Sequence, residues 1–183
     1  TSLEEMDRAV DMGIEKRLKP TRKDLKRAQE MVDTDSAAIQ GAIAELERQG
    51  ETVKANEIIN ALVELRKQYE KGPFEAEQKQ IDKLIAEFTG KHGTGDIPPT
   101  KAWEIRRQAY REIENKGAFG RALESAPTEA KEAVVRAINK QLYNPSNPAL
   151  QKYGDTIRSL GTETRDLIDT RNAIEQRIMS IYG

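Results

Sequence analysis

Few side chains in this chain of 183 residues are of the kinds that do chemistry: it has no cysteine and a single histidine, His92. Catalysis of the Ser-His-Asp kind would have to run through that one imidazole. His92 sits in the segment GKHGTGDIPP (90–99) with no Glu-x-x-His spacing, so neither a bundle di-iron site nor a zinc site is expected around it. A Glu-Ser pair at a helix end, Glu124-Ser125, could supply a glycosidase acid only inside an apolar cleft that raises its pKa. Pro127 follows at once and opens a charged amphipathic helix, so a helix-entry role is expected instead. Gly-x-x-x-x-Gly-Lys and Gly-x-Gly-x-x-Gly phosphate loops are absent. The expectation is a non-enzyme with no cofactor, no metal and no small-molecule substrate.

One cluster of a single sign stands out. Lys16, Arg17, Lys19, Arg22, Lys23, Lys26 and Arg27 place seven basic residues in twelve, opposed only by Asp24. Such local density is what neutralising phosphates requires. No aromatic residue lies in the run to stack a base, so a solvated face or a dock for an acidic partner competes with nucleic acid. A weaker basic face is formed by Lys101, Arg106, Arg107 and Arg111. Over the whole chain 30 basic and 31 acidic residues leave a net charge of −1, which offers no general attraction to nucleic acid or to an anionic membrane.

The strongest pattern is a heptad repeat near the C-terminus. Leu150, Ile157, Thr164, Arg171 and Ile178 fall at a, and Tyr153, Leu160, Leu167, Ile174 and Ile181 at d. Only Thr164 and Arg171 break the apolar seam. Polar groups at a cost stability but can set register and partner number. The seam either packs on a helix of the same chain or zips against another chain; in the first case Arg171 should snorkel or meet a carboxylate, because an unpaired buried charge is costly.

The elements that must carry these groups are all helical. Proline and glycine punctuate them. A first helix opens at a Ser2/Glu5 capping box and runs to about Leu18, before Pro20. Thr21 with Asp24 caps a second. A break or kink is expected at Asp33-Thr34-Asp35-Ser36, then helix to Gly50. Further helices are expected over 51–71, stopped by Gly72-Pro73, over 74–89, ending at Gly90, and over 99–115, with Trp103 as core anchor and Tyr110 on its face. One more runs from Pro127 through Leu142. Asn147 and Pro148 cap the heptad helix after the turn NPSNP. No strand is expected. With 37% hydrophobic and 33% charged residues, the fold class is all-α: an elongated bundle with a coiled-coil-like C-terminal helix. Its expected division is a helical unit over 1–90, a linker over 91–98 and a three-helix unit over 99–183. No apolar run approaches the roughly 20 residues that span a bilayer. No secretory signal is seen at Thr1–Arg8, and a start at Thr rather than Met fits a piece of a longer protein.

The segment 97–181 resembles a helical module of large structural and DNA-ejection-associated proteins of tailed bacteriophages. The likeness is carried by Pro98-Pro99-Thr100-Lys101-Ala102-Trp103-Glu104-Ile105-Arg106-Arg107, by Glu129-Ala130-Lys131-Glu132-Ala133 leading to Ala137-Ile138-Asn139, and by Asn147-Pro148-Ala149-Leu150 with its heptad helix. It implies a virion-associated module with no catalytic residues to carry over. The resulting expectation is a structural or scaffolding module, cytoplasmic or virion-associated, that associates with itself or a protein partner through helices. A nucleic-acid-binding accessory protein using the run 16–27 is the alternative, and a helical regulatory domain of a larger enzyme a third.

Overall fold

The computed structural model describes residues 3–117 and 125–182, with side chains from 4–113 and 125–182. Ser2 of the expected capping box, and Glu124, lie outside the described residues. The protein is all-α: helices α1 (Leu3–Glu15), α2 (Arg22–Arg48), α3 (Ala55–Tyr69), α4 (Glu75–His92), α5 (Pro99–Gly117), α6 (Ala126–Tyr143) and α7 (Gln151–Tyr182), the last entered through a 3-10 turn over Pro148–Leu150. Two short strands, β1 (Val53–Lys54) and β2 (Asp96–Ile97), pair antiparallel with Val53 opposite Ile97.

Several expected boundaries move, each for a local reason. Two helices end in the same hydrogen-bond motif. After α1, Leu18 N–H donates to Gly13 O and Arg17 N–H to Ile14 O; after α2, Glu51 N–H donates to Leu46 O and Gly50 N–H to Glu47 O. These are Schellman closures, whose C′ residue must adopt a left-handed conformation. Gly50 does so at φ 84°, and Arg17, a non-glycine, at φ 54°. The first helix therefore stops at Glu15, short of Leu18. The break expected at 33–36 does not occur. Thr34 Oγ1 donates back to Glu30 O and Gln29 donates to Asp33, so these polar side chains bond within the helix instead of capping a new one, while Val32 and Ile39 stay buried.

The glycine-rich segment is not a linker. α4 passes through Gly90 and stops at Gly93, which takes φ 70°. Ile97 is buried against the Val53 strand and Ala55 N–H donates to Gly95 O. The chain divides instead into a terminal unit, residues 1–42 with 155–183, and a middle unit, residues 43–154. The expected division at 91–98 is thus corrected, because strand pairing between residues distant in sequence holds that segment inside the middle unit.

The middle unit is organised around α6, which packs on α3, α4 and α5. Its small residues Ala126, Ala130 and Ala133 face Leu62, Leu65 and Ile81 in one core cluster, and small side chains let helices approach closely. Ser125 caps α6 by accepting from Thr128 N–H, with Pro127 in the first turn. Gln141 serves as a surrogate strand, accepting from Lys54 N–H at 2.6 Å and donating to Lys54 O. The Glu51 carboxylate accepts Asn147 N–H, Ser146 N–H and Ser146 Oγ, which pins the NPSNP turn. Gly154 is buried because α7 leaves this turn at close quarters: a Cβ there would overlap the Tyr143 carbonyl oxygen and lie 3.0 Å from Pro145 Cδ.

Candidate functional site

The seam residues are placed mostly in the chain's own core. Leu150, Ile157, Leu167, Ile174 and Ile178 are buried; Tyr153, Leu160, Thr164 and Arg171 are partly buried; Ile181 is exposed. Leu167, 1% exposed, packs in the terminal unit with Met12 of α1 and Val32 of α2. Among the described residues Arg171 meets no carboxylate; its Nη1 donates to Gln29 Oε1 at 2.6 Å and the guanidinium also reaches Asn172 Oδ1. Thr170 Oγ1 donates to Ala9 O, a tie between α7 and α1 that no heptad argument includes.

The basic run is split by its surroundings. Lys16 Nζ lies 2.7 Å from Glu163, Lys26 reaches Glu30 and Arg27 reaches Asp24, both near 4 Å. Asp24 also accepts Lys19 N–H, and its own N–H donates to Thr21 Oγ1, the expected cap of α2. Among the described residues Arg17, Lys19, Arg22 and Lys23 have no carboxylate within ion-pair distance, and all four side chains are exposed. Two of these cations stand on the turn between α1 and α2 and two on the first residues of α2. The weaker basic face loses Arg106, whose guanidinium stacks over Trp103 at 4.1 Å and Tyr110 at 4.7 Å and donates to Asn139. Trp103 is buried, as a core anchor.

His92 rests on Phe88, and its pKa is lowered by burial first, then by Lys101 and Lys91. It lines an open depression between α4, α5 and α6 with Lys101, Glu104 and Lys131. Its charges cancel locally, Lys131 against Glu112 and Lys101 against Glu104. Among the described residues no group of three or more His, Cys, Asp or Glu side chains could hold a metal, and no helix is long and apolar enough to cross a membrane.

A more distinctive surface is one the heptad analysis passes over. Met6, Val10 and Ile14 recur every four residues on α1 and remain 53%, 61% and 71% exposed. Ala9 and Met12 of the same helix are buried, so α1 is apolar on two sides. One side covers the terminal core and the other borders an open groove of about 520 Å³ against α7, shared with Leu18, Thr170 and Ile174. The signal for it is present in the sequence: α1 carries more apolar positions than a one-sided helix needs. Met179, Ile181 and Tyr182 at the end of α7 are exposed as well.

The interior of the terminal unit also holds a polar conflict. Among the described residues the buried Asp35 Oδ2 has no hydrogen-bond partner. Burial first, and the facing Glu163 carboxylate next, raise the Asp35 pKa to about 6, while Lys16 holds Glu163 low. Two carboxylates cannot bond each other unless one carries a proton, which is why the unpartnered oxygen and the raised pKa coincide. Comparison with protein-family models, with characterised proteins and with solved structures finds no match.

Proposed function

We propose that this chain is a non-enzymatic structural module that assembles with other proteins through helix-to-helix contacts, in the virion-associated setting that its phage-like segment suggests. The observation that carries the reading is the Met6/Val10/Ile14 stripe above an open groove. Contiguous exposed apolar surface of this kind marks an interaction site more often than a solvated face. The heptad seam supports assembly indirectly: it builds the unit that presents the groove, and its buried members are not accessible to a partner while that unit stays folded.

Magnitude sets what the stripe can do alone. Two copies covering each other's stripes remove six half-exposed side chains from water, a gross gain of about 6 kcal/mol at roughly 1 kcal/mol each, and an association cost of at least about 4 kcal/mol leaves less than the roughly 4 kcal/mol of a millimolar complex. Self-association through the stripe is therefore expected only at high concentration, and most readily in high salt, where the acidic residues of α1 are screened. Light scattering against concentration in molar salt should show mass above the monomer, and Val10→Lys with Ile14→Lys should return it to monomer with unchanged helical circular dichroism. A wild-type chain that stays monomeric under those conditions removes the support for this reading.

A further inference from the structure

The charges around the groove say what fits it, given the association reading above. The groove lining is neutral or apolar apart from Asp169. On α1, Asp7 and Asp11 are exposed and lie about 60° and 100° round the helix from the Met6/Val10/Ile14 row, at 100° per residue. Arg8, on the far side of α1, points to Asp166 instead. The outer flank of the apolar row, on the side away from Ala9 and Gly13, is thus acidic over one helical turn, while neither aspartate lines the groove itself. Leu18 and Pro20 line the groove's end, and there the turn and the start of α2 bear the exposed cations Arg17, Lys19, Arg22 and Lys23.

We propose that the groove between α1 and α7 receives an amphipathic helix of a partner protein, with basic residues flanking its apolar stripe and its C-terminal end against the cationic turn at 17–23. The apolar row recurs at the spacing by which one helix face presents itself to another. Lysines or arginines beside the partner's stripe meet Asp7 and Asp11. The negative end of the partner's helix dipole, with any acidic residues of its last turn, meets the basic turn. A second copy of this chain is a poorer occupant: its own α1 stripe brings the same Asp7 and Asp11 to that flank, and the exposed apolar residues at the end of α7 are flanked by the mixed charges Glu175 and Arg177. An anionic membrane is repelled by Asp7 and Asp11 beside the apolar row but attracted by the four cations at its end, so vesicles enter the test as a competing occupant.

The test uses the full chain and two hydrocarbon-stapled helical peptides with leucine at a and d, read by fluorescence anisotropy. One peptide carries lysine flanks and glutamates in its last turn; the other has those charges exchanged. At low salt the lysine-flanked peptide should bind about tenfold tighter or more, the sum of a few screened surface pairs, and the gap should close as salt rises. Asp7→Lys with Asp11→Lys, both at exposed positions, should invert the preference. A photoreactive group at the peptide's C-terminal end should label 17–23, and one at its N-terminal end should label near Met6. Equal binding of the two peptides, an unchanged preference in the double variant, labelling in the reverse order, or tighter binding to phosphatidylserine vesicles than to either peptide overturns the proposal. If Ile14→Lys weakens both peptides and self-association while the peptides bind equally, only the partner's chemistry is wrong. If Ile14→Lys changes neither, the association reading falls with it.

Discussion

The two units close a helix with the same hydrogen bonds and different residues. At the end of α2 the left-handed position is Gly50; at the end of α1 it is Arg17. Glycine takes that conformation freely, whereas a side chain costs about 1 kcal/mol. The contrast repeats elsewhere. The buried side-chain polar atoms without a partner among the described residues, Arg27 Nε, Asp35 Oδ2 and Thr164 Oγ1, all belong to the terminal unit. So do six of the seven exposed large apolar side chains among the described residues, Phe74 being the exception. The middle unit instead satisfies itself, with Glu51, Gln141 and Arg106 each tied to a defined partner. Local rules broken together in one region are expected where a protein serves something other than its own fold. On the association reading proposed above, the terminal unit is the one that meets a partner.

The sharpest break of this contrast is a pair of truncations. Leu62→Ala removes a side chain that is 1% exposed and should cost about 2–5 kcal/mol, read as a lower denaturation midpoint. Ile14→Ala removes one that is 71% exposed and should stay within about 0.5 kcal/mol of wild type. Similar losses from both would mean that α1 is covered.

Gly154→Ala, placing a Cβ against the Tyr143 carbonyl, should cost about 1–3 kcal/mol by overpacking in the same denaturant titration, although alanine favours a helix. A stabilised variant would show that the approach of α7 to the turn is looser than described.

The Asp35–Glu163–Lys16 cluster gives the terminal unit an unusual pH response. A carboxyl whose folded pKa is raised contributes stability that is full below its unfolded value near 3.8 and is lost as pH rises through about 6. Hydrogen exchange of α2 amides around Asp35 should therefore slow between pH 7 and pH 5, after correction for intrinsic rates. Glu163, held low by Lys16, acts in the opposite sense only at more acid pH. Asp35→Asn should remove the pH 5–7 trend and stabilise the unit at pH 7 by about 1 kcal/mol, less than the full linkage value because water reaches the site. A trend that survives in Asp35→Asn would place the titrating group elsewhere.

The smallest expected effect refines the comparison of caps. Arg17→Gly should stabilise by up to about 1 kcal/mol, visible as a raised melting temperature, while Gly50→Ala should do the reverse. Equal neutrality at both sites would remove the conformational argument.

Much of the fold was legible because its determinants are local. Thr21 with Asp24, Gly50, Ser125 with Pro127, and Asn147 with Pro148 mark helix ends where the structure has them, since a cap involves only its own turn. The site was less legible. Arg171 looked like a seam residue that sets partner choice, yet its guanidinium is taken up by Gln29, 142 positions away. Arg106 read as surface charge and proved to be stacked on two rings. The stripe on α1 was visible as spacing, but which of that helix's two apolar sides stayed open was not.

By itself, the sequence determined that the chain is helical and where most of its helices start and stop, because three-and-four apolar spacing, capping side chains and left-handed glycines act over a few residues. Tertiary structure alone decided that α2 continues through Asp33–Ser36, that Val53 pairs with Ile97, that most of the heptad seam is spent on the chain's own core, and that Met6, Val10 and Ile14 are left facing water. Those outcomes turn on which distant surfaces cover one another, and burial is a property of the neighbour as much as of the residue.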